Sequence, residues 1–123
     1  MEKINGQIAD YLFEDQKLLI SYSKSVLRTV QNIQENVDLV KSITNHKPVP
    51  LLIFLSPSPM PDKATREFSK KKLPEIYTAM AMVSEGNLGK FIMNLLFKFQ
   101  KSPIPMKSFS KENEAREWLK QFM

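Results

Sequence analysis

Apolar and polar positions fall in blocks along the chain, and the block that orders the others is Val49–Ser56, VPLLIFLS. A strand covered on both faces loses period-two alternation and reads as a short continuous apolar run bounded by turn residues. Pro48 and Pro50 bound this run on one side, Pro57 and Pro59 on the other. It is too short to cross a membrane, which takes ~20 apolar residues. The expectation is a buried central strand with a helix before and after it.

Upstream, Gln7–Phe13 and Leu18–Tyr22 are rich in aromatic and β-branched residues and are joined by the polar connector Glu14–Lys17. This is a hairpin signal, without the Asn-Gly turn that would pin its register. Val30, Ile33, Val37 and Val40 then recur at helical spacing with Gln31, Gln34, Glu35, Asp38 and Lys41 at other positions. They predict an amphipathic helix of about four turns, ended by Asn45 and Pro48.

Downstream, the three prolines of SPSPMPD cannot donate to a ladder, so this is a stiff strand-to-helix loop. Asp62 is a good N-cap for a helix from about Lys63 to Leu73, with Ala64, Phe68 and Leu73 inward and Pro74 closing it. Thr78–Ser84 reads as another buried strand. Gly86, Asn87 and Gly89 supply a turn, Leu88–Phe99 reads as a third helix, and Ser102, Pro103 and Pro105 break it. Met106–Phe109 is a short strand. Ser110 is expected to cap a last helix with Glu112 and Glu114 in its first turn and Ala115, Trp118, Leu119 and Phe122 on its core face.

Strands alternating with helices of this length predict an α/β fold with right-handed crossovers and a mainly parallel sheet, the opening hairpin adding an antiparallel strand. The order is ββαβαβαβα, a mixed sheet of about five strands with about four helices. At 123 residues the chain makes one domain, 1–123, with no second core.

Composition narrows the chemistry. The absence of cysteine excludes disulfides, thiol catalysis and thiolate metal sites and is compatible with a reducing cytoplasm, the expected location. The opening MEKINGQ has no apolar h-region, so no secretory signal is expected. The net charge of +5 is uneven: residues 1–62 carry six Lys/Arg against seven Asp/Glu, residues 63–123 twelve against six. No acid falls between Gly86 and Lys111. Such a stretch is either a solvated, solubilising face or a footprint for an acidic partner, a membrane surface or nucleic acid.

Catalytic sets are missing. The single histidine, His46, lies in a polar helix-to-strand turn, where a solvated side chain is the ordinary reading. With three glycines in all there is no phosphate loop, and no carboxylate pair stands at metal spacing. A serine nucleophile needs a base, and His46 is the one conventional candidate. Neither enzymatic activity nor a cofactor is expected. Lys70, Lys71 and Lys72 with nearby aromatics form no recognised nucleic-acid motif, which argues against that partner.

Two stretches remain. Ser56 and Ser58 follow the central strand at its C-terminal end, where open parallel sheets usually place ligand sites. A hydroxyl there is a site for phosphorylation or a ligand, beside Asp62, with Lys63 and Arg66 near enough in sequence to pair with a new charge. The plainer alternative is a stiff turn whose serines bond local backbone. In the third helix, Leu88, Phe91, Ile92, Leu95 and Phe99 complete an apolar stripe that Met93, Leu96 and Phe97 widen. Core packing covers such an excess in one reading. In the others it is a protein-partner or homodimer face, or a lipid-facing surface flanked by Lys90, Lys98 and Lys101.

The element order and the closing EWLKQF helix after a Pro-flanked strand resemble the STAS fold of bacterial anti-sigma-factor antagonists. The likeness is closer to small, uncharacterised bacterial STAS/SEC14-like domains. It rests on NVDLVKSITNHKPVPLLIFL, ATREF, TAMAMV and KSPIPMKSFSKENEAREWLKQF and covers nearly the whole chain. It implies a non-catalytic regulatory module that docks on a protein partner through the Pro-rich loop and following helix, or through the third-helix face. The SEC14-like side implies instead a small apolar-ligand or lipid binder. Regulatory members carry a phosphorylatable serine in an Asp-Ser-Ser-Gly or similar motif after the central strand. This chain has Met60, Pro61, Asp62, Lys63 and Ala64 there, so the motif's serine is missing.

Overall fold

A computed structural model describes residues 2–86, 88 and 102–123. In chain order the elements are β1 (Ile4–Asn5), β2 (Ala9–Glu14), β3 (Leu18–Ser23), α1 (Val30–Ile43), β4 (Val49–Phe54), α2 (Lys63–Ile76), β5 (Tyr77–Val83), β6 (Met106–Phe109) and α3 (Glu112–Leu119). Among the described residues the strands form one six-stranded sheet in the order β1-β2-β3-β4-β5-β6. The first two pairings are antiparallel and the next three parallel. The mixed sheet matches expectation, with the two-residue β1 as an added edge strand. The expected Leu88–Phe99 helix lies, but for Leu88, outside the described residues.

The hairpin closes without glycine. Asp15 and Gln16 both take left-handed backbone, φ 52° and 55°, and the Lys17 N–H donates to the Glu14 carbonyl at 3.0 Å. The register, Tyr11 opposite Ser21 and Glu14 opposite Leu18, is held by side-chain burial, because a one-residue slip would turn every buried side chain to the other face.

Helix α1 begins at a capping box: Thr29 Oγ1 accepts from the Asn32 N–H at 3.1 Å, and Asn32 Oδ1 accepts from the Thr29 N–H at 2.8 Å. It ends as the Asn45 signal predicted. Asn45 and His46 have positive φ, and the His46 N–H returns to the Lys41 carbonyl at 2.9 Å, the long bond of a Schellman ending. His46 itself is exposed.

In β4 the side chains from Val49 to Leu52 are buried, because helices cover both faces of the sheet. Pro50, with no N–H to give a central strand, sits at a register shift: Val49 pairs with Tyr77 and Pro50 with Ala79, skipping Thr78. Helix α2 starts at Asp62 as expected but runs past Pro74 to Ile76. Proline removes only its own bond to a carbonyl one turn back, and the Tyr77 N–H still caps the Leu73 carbonyl, so the last turn survives. Ala64 is exposed and Thr65 buried in its place, a shift of one position around the helix. Lys111, not Ser110, is the N-cap of α3, and it makes no side-chain cap.

Alternation along the strands divides the interior. Leu19, Val37, Val40, Leu51, Leu73 and Met82 belong to a cluster under α1 and α2. Ile20, Leu52, Ala79, Ala81, Ala115 and Leu119 form a second cluster under α3. Ala79, Ala81 and Ala115 are fully buried, and their small side chains let α3 lie close on the sheet. Burying one leucine contributes ~1.5–3 kcal/mol. Around α3, Trp118 packs on Phe109 and Phe122 with ring centroids 5.8 Å and 5.0 Å apart. Arg116 fastens this helix to the hairpin end, reaching Glu14 at 2.8 Å and Glu112 at 2.7 Å.

Candidate functional site

The loop after β4 is anchored at both ends and bare between. Ser56 Oγ donates to the Ser23 carbonyl at 2.6 Å, and the Leu55 N–H donates to the Val83 carbonyl at 3.0 Å. At the far end Asp62 Oδ1 accepts from the Thr65 N–H at 2.8 Å. Hydrogen bonds from Thr65 hold the Asp62 carboxyl below its ordinary value. Pro57, Ser58, Pro59 and Met60 between them are exposed, Met60 at 54%.

The sequence-predicted residues occupy this loop in different roles. Ser56 is half-buried and tied to backbone, but to the distant Ser23 carbonyl of β3 and not to the local backbone of a turn; Ser58 and Lys63 are exposed. Arg66 turns back to the Pro61 carbonyl at 2.7 Å. Among the described residues no bond joins Ser56 or Ser58 to Lys63 or Arg66. The wide apolar face with Lys90, Met93, Leu96, Phe97, Lys98 and Lys101 lies outside the described residues.

A second place was not visible as a site in the sequence: a partly open pocket of about 160 Å³ between α1, α2 and the sheet. Its floor carries the hydroxyls of Tyr11, Ser21 and Tyr77 among apolar side chains; its rim carries Asn36, Ser69, Arg28 and Lys72. Tyr11 and Ser21 stand opposite each other on β2 and β3, on the face toward the helices. Asn36 stands one turn along from Ile33, so α1 presents an amide within its own apolar stripe. The Tyr11 hydroxyl donates to Asn36 Oδ1 at 2.8 Å. Burial pushes the Tyr11 hydroxyl up and Tyr77 well above its ordinary value, so both stay protonated across the physiological range.

Arg28 is the fixed cation of the rim. One terminal nitrogen donates to the Lys24 and Val26 carbonyls at 2.6 and 2.7 Å, the other to the Ile8 carbonyl at 3.1 Å and Ser23 Oγ at 2.7 Å. Burial lowers its affinity for the proton. Lys72 reaches Glu75 at 3.3 Å, a carboxylate that Lys41 also holds at 2.8 Å. Signals for this pocket did exist in the sequence: Ser21 inside LLISY, Tyr11 inside QIADYLF, and Asn36 on the apolar stripe. Each is a polar group at a core position, and nothing local says that they converge.

Among the described residues no group of acids or His could hold a metal ion, and no helix is long and apolar enough to cross a membrane.

No curated protein matches this chain. A family model described as a domain of unknown function, DUF7793, matches residues 11–123. Among solved structures, an uncharacterized protein of the DUF3478 family with a SpoIIAA-like fold, from Shewanella loihica PV-4, aligns with a TM-score of 0.63 at 17% identity, over 97% of this chain and 98% of that one. The chain therefore has a SpoIIAA-like, that is STAS-like, α/β fold.

Proposed function

The chain belongs to the DUF7793 family of domains of unknown function, and we propose that it acts as a non-catalytic interaction module that docks on a protein partner through the loop after β4 and the start of α2. The observation that carries this reading is the exposed Pro57–Met60 segment held between two anchors, the Ser56 bond and the Asp62 cap. A stiffened loop loses little conformational freedom on binding, which favours recognition. The fold relationship to SpoIIAA is consistent with a regulatory role, and Ser58 is the loop hydroxyl open to modification.

Native mass spectrometry on protein drawn gently from its source cells tests this. A stoichiometric complex with another protein, or a second copy, that is lost when Pro57–Met60 is replaced by Gly-Ser residues is the expected result. A bare monomer, or an assembly indifferent to that replacement, rejects it.

The pocket under α1 and α2 favours a second reading, small-ligand binding. Its volume of about 160 Å³ is close to that of the ~150 Å³ apolar cavity that holds benzene, far short of a lipid with long acyl chains. A ring-sized ligand retained through purification would support it.

A further inference from the structure

We propose that the pocket between α1, α2 and the sheet binds a small carboxylate anion with a single-ring or short-chain apolar body. This rests on the second reading above and deepens it by assigning the ligand's charge; it is independent of the docking loop.

The pocket has a charge of one sign. Among the described residues Arg28 and Lys72 line it, and no carboxylate does. Arg28 is partly withdrawn from water, yet each of its four bonds goes to a neutral acceptor, three carbonyls and a hydroxyl. Among the described residues it has no counter-ion; a partly desolvated cation in that state is costly, and an anion brought beside it recovers part of that cost. Its four bonds also fix the cation in place, so the field at the rim is preorganised. Lys72 adds a second, adjustable cation, because Glu75 is divided between Lys72 and Lys41.

The rest of the lining selects the body of the ligand. Ile33, Val37, Leu51, Leu73, Ile76 and Met80 form apolar walls, suited to a ring or a short chain. On the floor the hydroxyls of Ser21 and Tyr77 can turn from Tyr11 to donate to a carboxylate oxygen, while the Tyr11 hydroxyl already donates to Asn36. With apolar walls and one of two cations already partly engaged, a monoanion fits better than a phosphate dianion, whose desolvation costs more.

The test is a titration of the full-length protein with benzoate, followed by amide chemical shifts in two-dimensional NMR. Benzoate is expected to give saturable shifts at Tyr11, Ser21, Ser69 and Lys72, with benzamide, its uncharged isostere, roughly tenfold weaker. Lys72→Gln should weaken benzoate several-fold while leaving benzamide unchanged, and Ser69→Trp, which fills the rim, should abolish both. Arg28→Gln removes four structural bonds and can unfold the chain, so the decision rests on the other two variants. No saturable shift up to about 10 mM benzoate, shifts mapping elsewhere, equal binding of benzamide, or displacement of benzoate by inorganic phosphate would each overturn the assignment. None of these failures touches the docking loop, whose test is the partner complex.

Discussion

Tyr11 donates its hydroxyl to Oδ1 of Asn36 at 2.8 Å, so a phenol from the second strand and an amide from the first helix meet over the pocket floor. Tyr11 is 1% exposed and otherwise packed in the core under α1 and α2. The bond lets a polar group sit at a core position without an unpaired hydroxyl.

Tyr11→Phe keeps the ring and removes the donor, leaving Asn36 half-buried and free to take water. The expected loss is about 0.5–1.5 kcal/mol, read by urea unfolding. Asn36→Ala should cost a similar amount, and the double variant less than the two together, since one bond is lost twice on paper and once in fact. Strict additivity would show that the bond carries no stability.

Gly6 precedes β2, and a Cβ there would lie 2.6 Å from the Ala9 carbonyl oxygen and 2.9 Å from Leu39 Cδ2. The leucine can rotate away; the backbone oxygen cannot without moving the β1–β2 connection. Gly6→Ala is expected to destabilise by about 1–3 kcal/mol, measured by denaturant melts. A neutral result would mean that β1 is free to detach without cost.

At the hairpin tip, Gln16 holds φ 55°, a region that costs an L-residue roughly 1–2 kcal/mol. Gln16→Gly removes that strain and gives back part of it as unfolded-state entropy. A net gain of about 0.5–1 kcal/mol is expected, seen as a higher melting temperature. Gln16→Val, a β-branched residue at the same φ, should lower it.

Asp62 sets an acid limit on the start of α2. Its folded value is depressed below the ordinary 3.8, first by hydrogen bonding from Thr65. A depressed carboxyl contributes stability that is complete above its ordinary value and is lost as pH falls through the folded one. Asp62→Asn caps the helix without a titrating group, so its melting temperature should fall less steeply than wild type on acidification below the ordinary carboxylate range. Parallel curves for the two proteins would remove Asp62 from the acid response.

Over the described residues, β1 apart, the chain by itself determined the element plan. Val49–Phe54 is apolar throughout because both faces of β4 are covered, and that pattern is legible without coordinates. The α1 stripe and the Asp62 cap are local in the same sense: periodicity and capping depend on residues within a turn or two. Ends governed by compensation were less legible. Pro74 reads as a stop, yet α2 passes it because the Tyr77 cap is supplied by the strand that follows.

What only the tertiary structure decided is convergence. Tyr11, Ser21, Asn36, Arg28, Lys72 and Tyr77 come from separate elements, and each alone reads as an ordinary polar residue of a strand, loop or helix. The pocket exists because strand register puts Tyr11 opposite Ser21 and because α1 and α2 pack on the same sheet face. Long-range pairing of this kind is set by the total burial of both cores, a quantity that no short window of the sequence contains.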